Sequence, residues 1–359
     1  MTHEALPPNQ TIGIIGGGQL GRMLTLAAAK LGFKIHIYSD ADDAPATQIA
    51  TSSTIGAYDD AKKLAQFADN VQCITYEFEN IPSNILSQLQ AKLPILPPVQ
   101  ALAISQDRLE EKNFIRAQGL AVADFMPITS TENIDAAREA FGGAGILKTR
   151  HFGYDGKNQW RVNNESAPAA LMDALAGRPA IMEKIITFER EISILAARNV
   201  QGDIAFYEPV ENLHKNHILH SSTMPARLSD AQHKQAHHIA DTLIRALNYV
   251  GVLAIEIFVT DTGLVVNEIA PRVHNSGHLT ADACICGQFE QHIRAIAGWP
   301  LGNPHRHSDA VMTNLLGDDV ADWRKLAAQP QNRLHLYGKS EARAGRKMGH
   351  ITQLSPKTN

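Results

Sequence analysis

Residues 251–270 read GVLAIEIFVTDTGLVVNEIA, two apolar runs rich in β-branched side chains separated by TDTG. Runs of this kind, joined by a polar, Gly-containing tetrad, predict two strands forming a hairpin. Each run carries one carboxylate, Glu256 in the first and Glu268 in the second, and Asn267 stands beside the latter. A carboxylate flanked by Val, Ile and Ala is costly to desolvate unless a cation pairs with it. The hairpin brings the two to one place, and hard oxygen ligands with room left for phosphate oxygens suit Mg²⁺ better than zinc. Glu256 and Glu268 are therefore the candidate metal ligands; a buried Glu–Arg ion pair is the alternative reading of the same residues.

Upstream of the hairpin, a helix is expected near 229–248. Before it, GILKTR, QWRV, AIMEKII and EISILAAR read as short strands with intervening glycines, a small antiparallel lid over about 145–205. Lys148 ends the strand GILK, where an ammonium can reach a phosphate. Gly153-Tyr154-Asp155-Gly156-Lys157-Asn158-Gln159 follows between two strands; its glycines and Asn give the turn freedom, and Lys157 adds a second positive charge. The combination suits a flap over a triphosphate, although a solvated hairpin loop would share the composition.

The N-terminal part has a different texture. TIGII at 11–15 stops at three glycines, after which Leu20, Met23, Leu24 and Ala27 recur at helical spacing. FKIHIYS (33–39) and VQCITYE (71–77) are further apolar strands separated by helix-like stretches, which predicts a parallel, doubly wound sheet over 1–104. Gly16-x-Gly18-x-x-Gly21 opens the first helix and Asp40 ends the next strand, together a dinucleotide fingerprint. Alone it would suggest an NAD-linked oxidoreductase. A strand-to-helix glycine loop suits other phosphorylated ligands equally, and a dehydrogenase leaves Glu256, Glu268 and the 153–159 loop without a purpose. Downstream, VMTNLLG, RLHLYG and MGHITQL predict a small β-rich domain over 301–359, leaving 105–300 as the middle domain.

The 359 residues are 44% hydrophobic and 19% charged, enough to bury cores in two or three domains. The net charge of −4 and the lack of a basic stripe before the tail exclude a nucleic-acid partner from the expectation. Cys73, Cys284 and Cys286 make a poor disulfide framework, and Cys284-x-Cys286 lacks the spacer of a zinc knuckle, so reduced thiols are expected. No apolar run approaches the roughly 20 residues of a membrane span. MTHEALPPNQ lacks the basic start and apolar stretch of a secretory signal. A cytoplasmic protein without a membrane partner is expected.

Lys148, the 153–159 loop, Glu183-Lys184, Glu191 and the strand pair ending in Asn267-Glu268 resemble the ATP-grasp superfamily. Within it, five stretches are similar to the N5-carboxyaminoimidazole ribonucleotide synthetase family (the ATPase subunit of phosphoribosylaminoimidazole carboxylase). They are GGGQLGRML (16–24), YEFENIP (76–82), GYDGKNQ (153–159), NEIAPRVHNSGH (267–278) and GRKMGHI (345–351), in the family's order over nearly the whole chain. The resemblance implies an α/β ATP-grasp fold with an N-terminal Rossmann-like pre-ATP-grasp domain, a lid and a small C-terminal β-rich domain, assembled as a homodimer. It implies carboxylation of 5-aminoimidazole ribonucleotide by ATP and bicarbonate, in de novo purine biosynthesis, with ATP as co-substrate and Mg²⁺ as metal.

The family's roles carry over residue by residue. Adenine and ribose would lie against Glu183, Lys184, Ile185, Ile186 and Glu191, with His214 nearby. Arg108 and Lys148 would contact phosphates, covered by the loop from Gly153 through Tyr154, Asp155, Gly156, Lys157 and Asn158 to Gln159. Glu256 and Glu268 would hold Mg²⁺, with Asn267 adjacent. The ribonucleotide would meet Gly18, Gln19, Leu20, Glu77, Tyr154, Asp155, Arg272, His274 and Asn275, and its phosphate Lys339, Arg346 and Lys347. Lys148, Tyr154, Asp155, Lys157, Arg272 and His274 would carry the chemistry, with His274 or Asp155 taking the amine proton. Asn158 stands where the family commonly has glycine, and Asn is the residue that best replaces glycine at positive φ. His217, His220, His237 and His238 read as solvated or helix-surface residues. A formate-using glycinamide ribonucleotide transformylase, a biotin carboxylase and a non-catalytic nucleotide-binding regulator are competing readings.

Overall fold

The computed structural model describes residues 4–153 and 157–358. Tyr154, Asp155 and Gly156 of the expected flap lie outside the described residues. Strands β1 (Thr11–Ile15), β2 (Lys34–Ser39), β3 (Ser52–Ile55) and β4 (Cys73–Tyr76) form the expected parallel sheet in the order β3-β2-β1-β4. Ile12, Ile14, Ile35 and Ile37 are buried, as the strands of a sheet covered on both faces must be. β1 ends at Gly16, whose φ of 122° turns the chain into the helix Gln19–Lys30. That helix buries Leu20, Met23, Leu24 and Ala28.

The lid sheet comprises β5 (Phe125–Ile128), β6 (Gly145–Thr149), β7 (Gln159–Val162) and β8 (Ala180–Glu183), antiparallel in the order β5-β8-β6-β7. One expectation is corrected here. EISILAAR was assigned to the lid, but it is β9 (Arg190–Arg198), a strand inside the large sheet. The reason is burial on both faces: Ile192, Ile194, Leu195, Ala196 and Ala197 are all fully enclosed. The lid instead recruits β5, whose FMPI stretch gives little strand signal because Pro127 cannot donate to a ladder.

The large sheet continues with β10 (Ile204–Phe206), β11 (Val210–Lys215), β12 (Ile218–Met224), β13 (Gly251–Thr260), β14 (Gly263–Ala270), β15 (Ser308–Leu316), β16 (Asn332–Leu336) and β17 (Lys347–Pro356). Its order is β14-β13-β9-β11-β12-β15-β17-β16, with β10 on β9. The C-terminal strands thus extend the sheet of the middle domain through the β12–β15 ladder rather than forming a separate one. One apolar cluster runs from Ile12 and Leu24 through Leu195, Val252 and Phe289 to Met312 and Tyr337. It fastens the parallel sheet and the large sheet together, so the ends of β1 and β4, the hairpin β13–β14 and the segment before β17 face one another.

Candidate active site

Those three elements enclose a cleft of about 850 Å³. Gly18, Gln19, Leu20 and Glu77 line it from the first sheet, and Glu256, Asn267, Glu268, Arg272, His274 and Asn275 from the hairpin side. Lys339, Arg346 and Lys347 line it from the C-terminal segment, and Arg108, Lys148, Gly153, Gln159, Glu191 and His214 complete the lining. Residues expected from distant parts of the sequence therefore share one space. Glu183, Lys184, Ile185 and Ile186 follow one another at the seam between lid and large sheet and are not among the cleft's walls, and neither are Lys157 and Asn158.

The hairpin forms with Glu256 and Glu268 directly opposite each other. The register slips by one between Glu256 and Ile257, leaving Asn267 without a partner across the ladder. A bulge of this kind re-aims side chains. Burial, and then the charge of Glu268, push the Glu256 carboxyl up to about 8. A carboxylate so disfavoured calls for a cation, and two carboxylates with an amide oxygen are a hard donor set that leaves positions for phosphate oxygens. Among the described residues no group of three or more His, Cys, Asp or Glu side chains could hold a metal by itself.

Around the carboxylates the cations are already ordered. Arg108 Nη1 lies 3.4 Å from Glu268 Oε2. Lys148 Nζ lies 3.0 Å from Glu183 Oε2, while Glu183 Oε1 is buried with no hydrogen-bond partner among the described residues. Burial opposes ionisation of Glu183, but Lys148 and Lys112 outweigh it and hold the carboxyl down at about 2. His214 Nδ1 sits against the Glu191 carboxylate, which raises the imidazole's pKa against the effect of burial. Asn158 does adopt positive φ, at 57°, and its side chain is anchored by Arg178 at 2.9 Å.

On the opposite wall, the Gly18 N–H donates to Glu77 Oε1 at 2.6 Å. A Cβ on Gly16 would stand 2.5 Å from Glu77 Cγ, and one on Gly18 2.8 Å from Oε1, so the glycines make room for this carboxylate. The helix N-terminus that would receive a dinucleotide pyrophosphate is thus occupied by a negative group, which removes the physical basis for the NAD reading. Gly16→Ala combines this clash with strained φ. It is expected to lower stability by about 1–3 kcal/mol in urea unfolding and to displace Glu77 from the Gly18 N–H.

Arg272 Nη2 pairs with Glu79 Oε2 at 3.0 Å. His274 Nδ1 accepts from the Ser276 N–H at 3.3 Å, so Nε2 carries the proton and faces Glu256 Oε1 at 3.3 Å. Both ring nitrogens are engaged, and burial with the neighbouring Arg272 charge keeps the ring neutral. Lys339 Nζ donates to the Lys347 carbonyl at 2.7 Å, which folds the segment so that both lysines and Arg346 face the cleft.

Comparison with known proteins agrees with this geometry. Family models match in chain order: the ribonucleotide synthetase preATP-grasp domain over 9–106, the ATP-grasp domain over 113–289, and the phosphoribosylaminoimidazole carboxylase C-terminal domain over 310–359. The N5-carboxyaminoimidazole ribonucleotide synthase of Brucella melitensis is 48% identical over 361 residues, covering 100% of both chains. The chain belongs to the N5-carboxyaminoimidazole ribonucleotide synthase family. A crystal structure of an ADP complex of an N5-carboxyaminoimidazole ribonucleotide synthetase superposes with a TM-score of 0.95 at 40% identity, covering 99% of this chain and 94% of that one. The synthase of Aspergillus clavatus in complex with ADP and 5-aminoimidazole ribonucleotide gives 0.89 at 28% identity, covering 97% and 94%. Family membership makes the chain an ATP-dependent ligase and disposes of the transformylase, biotin carboxylase and oxidoreductase readings.

Sequence reasoning missed several residues around the cleft. Glu79, inside YEFENIP, carries no signal of its own in the sequence, yet it pairs with Arg272. Glu111 and Lys112, in the charged stretch QDRLEEKNFIRAQG, are 3% and 2% exposed. Nothing in one sequence distinguishes them from solvated helix charges. His217 is exposed, as expected, but stands on the cleft wall.

Proposed function

We propose that this chain carboxylates the exocyclic amine of 5-aminoimidazole ribonucleotide, using ATP and bicarbonate, to give N5-carboxyaminoimidazole ribonucleotide in purine biosynthesis. The observation carrying this reading is one cleft that gathers Arg108, Lys148 and the Glu256–Glu268 pair together with Lys339, Arg346 and Lys347. The first group suits a nucleotide with its metal, the second a phosphomonoester. The A. clavatus relative with ADP and 5-aminoimidazole ribonucleotide together supports two ligands in one fold.

In the proposed reaction a bicarbonate oxygen attacks the γ-phosphorus of ATP, ADP leaves, and carboxyphosphate forms. Arg108, Lys148 and Lys157 bind the phosphates and offset charge that builds on their oxygens. Glu256, Glu268 and Asn267 would hold Mg²⁺, which when bound neutralises phosphate charge. Carboxyphosphate releases CO₂ and phosphate; the amine nitrogen bonds to the CO₂ carbon and gives up a proton. Closing the 153–159 loop excludes water that would consume the intermediate. The engagement of both His274 nitrogens favours Asp155 as proton acceptor, with His274 orienting Glu256. Glu183 Oε1, a buried acceptor with no partner among the described residues, suits the adenine amino group. We further propose that the protein works in the cytoplasm as a homodimer.

The test is phosphate release from MgATP and bicarbonate, with and without 5-aminoimidazole ribonucleotide. Strong stimulation by the ribonucleotide is expected; release indifferent to it would remove the substrate assignment.

A further inference from the structure

The helix Arg108–Ala117 lies against β14, and Arg108, Glu111 and Lys112 share one face of it by their three- and four-residue spacing. Because β14 is the edge of the large sheet, its outer backbone groups need partners from outside the sheet's strands, and at Val266 the N–H donates to the Ala121 carbonyl at 2.8 Å. The need is sharpest where the ladder slips at Asn267. There the helix meets three successive residues. Lys112 Nζ donates to the Asn267 carbonyl at 3.2 Å. Arg108 reaches the Glu268 side chain. The Ile269 N–H donates to Glu111 Oε1 at 2.7 Å. Lys112 Nζ also lies 3.3 Å from Glu183 Oε2, the same oxygen that holds Lys148.

Glu111 and Lys112 are buried and do not line the cleft. Two enclosed ionisable side chains are a poor way to glue a helix to a strand, since apolar side chains of similar volume would serve as well without desolvating polar groups. What their hydrogen bonds supply is placement of specific atoms on both sides of Glu268. We infer that Glu111 and Lys112 are positioning residues that hold the bulge at Asn267-Glu268 in its metal-facing form. Lys112 in addition ties that strand to Lys148 of the lid sheet through Glu183. The inference rests on the proposed role of Glu268 as a metal ligand.

Calorimetric titration of the full-length protein with MgADP, and with ADP in a metal chelator, tests it. Glu111→Leu, which leaves the Ile269 N–H without an acceptor, is expected to weaken MgADP by about ten- to a hundredfold while leaving chelated-ADP affinity nearly unchanged. Glu111→Gln retains an acceptor and should restore most MgADP affinity. Lys112→Met should weaken both titrations, because Glu183 and Lys148 shift with it; it decides the matter if Glu111→Leu does not fold. Glu268→Gln is the control. Glu111→Leu and Lys112→Met both binding MgADP like the parent, while Glu268→Gln loses it, overturns the inference. Parent-like MgADP binding by Glu268→Gln overturns the metal assignment itself.

Discussion

Glu268→Gln is expected to abolish ribonucleotide-stimulated phosphate release while leaving the fold intact. The substitution keeps the shape of the side chain and removes one of two carboxylates that oppose each other across the hairpin. A metal at a phosphoryl centre supplies several kcal/mol of charge stabilisation. At about 1.4 kcal/mol per decade, its loss corresponds to a rate about 10³-fold lower or worse. The stability side points the other way. The side chain is 40% exposed, and its pairing with Arg108 at 3.4 Å is long; such pairs contribute about 0–1 kcal/mol. Removing its charge also relieves Glu256, which burial and Glu268 together disfavour as an anion. The thermal transition without metal should therefore stay put or rise slightly. Parent-like turnover would sink the metal reading, whereas a collapsed transition would make the residue structural.

The same hairpin shows what sequence can and cannot carry. Two apolar runs around TDTG were sufficient for strand, turn and the meeting of two carboxylates, because strand alternation and turn chemistry are local. Five motifs in order were sufficient for the family and its α/β fold. The slip that leaves Asn267 unpaired was not legible, since register within a hairpin depends on which backbone groups a neighbouring element satisfies. That element is the helix Arg108–Ala117, whose charges look solvated until the fold buries them. β9 failed for a related reason: a short apolar run does not reveal which of two sheets will enclose it. The Gly16–Gly21 loop carried the opposite lesson. Its glycines were legible, but their occupant, Glu77, sits 59 residues from Gly18, and that carboxylate decides against a dinucleotide.

Lys347→Ala should act on the ribonucleotide and spare ATP. A charge-assisted hydrogen bond to a phosphate contributes about 1.5–3 kcal/mol, so its KM should rise about ten- to a hundredfold, with the KM for MgATP little changed. Equal rises in both would mean that the substitution disturbs the cleft as a whole, and an unchanged ribonucleotide KM would remove Lys347 from the phosphate site. The pH dependence adds an independent readout from Lys339. Burial, and then the neighbouring Arg346 charge, lower its ammonium from 10.5 to about 8. A ribonucleotide phosphate is already a dianion at that pH, because its second pKa is about 6. Below about 8 the free enzyme therefore meets the phosphate with Lys339 already charged. Above it, binding must first take up a proton, and the ribonucleotide KM climbs as pH rises through that value. Arg346→Ala withdraws one of the causes of the shift, so the inflection should move to higher pH even as overall affinity falls. A KM that is flat from pH 7 to 9.5 in the parent would exclude Lys339 from the phosphate contact, while an inflection that ignores Arg346→Ala would assign the titration to another group.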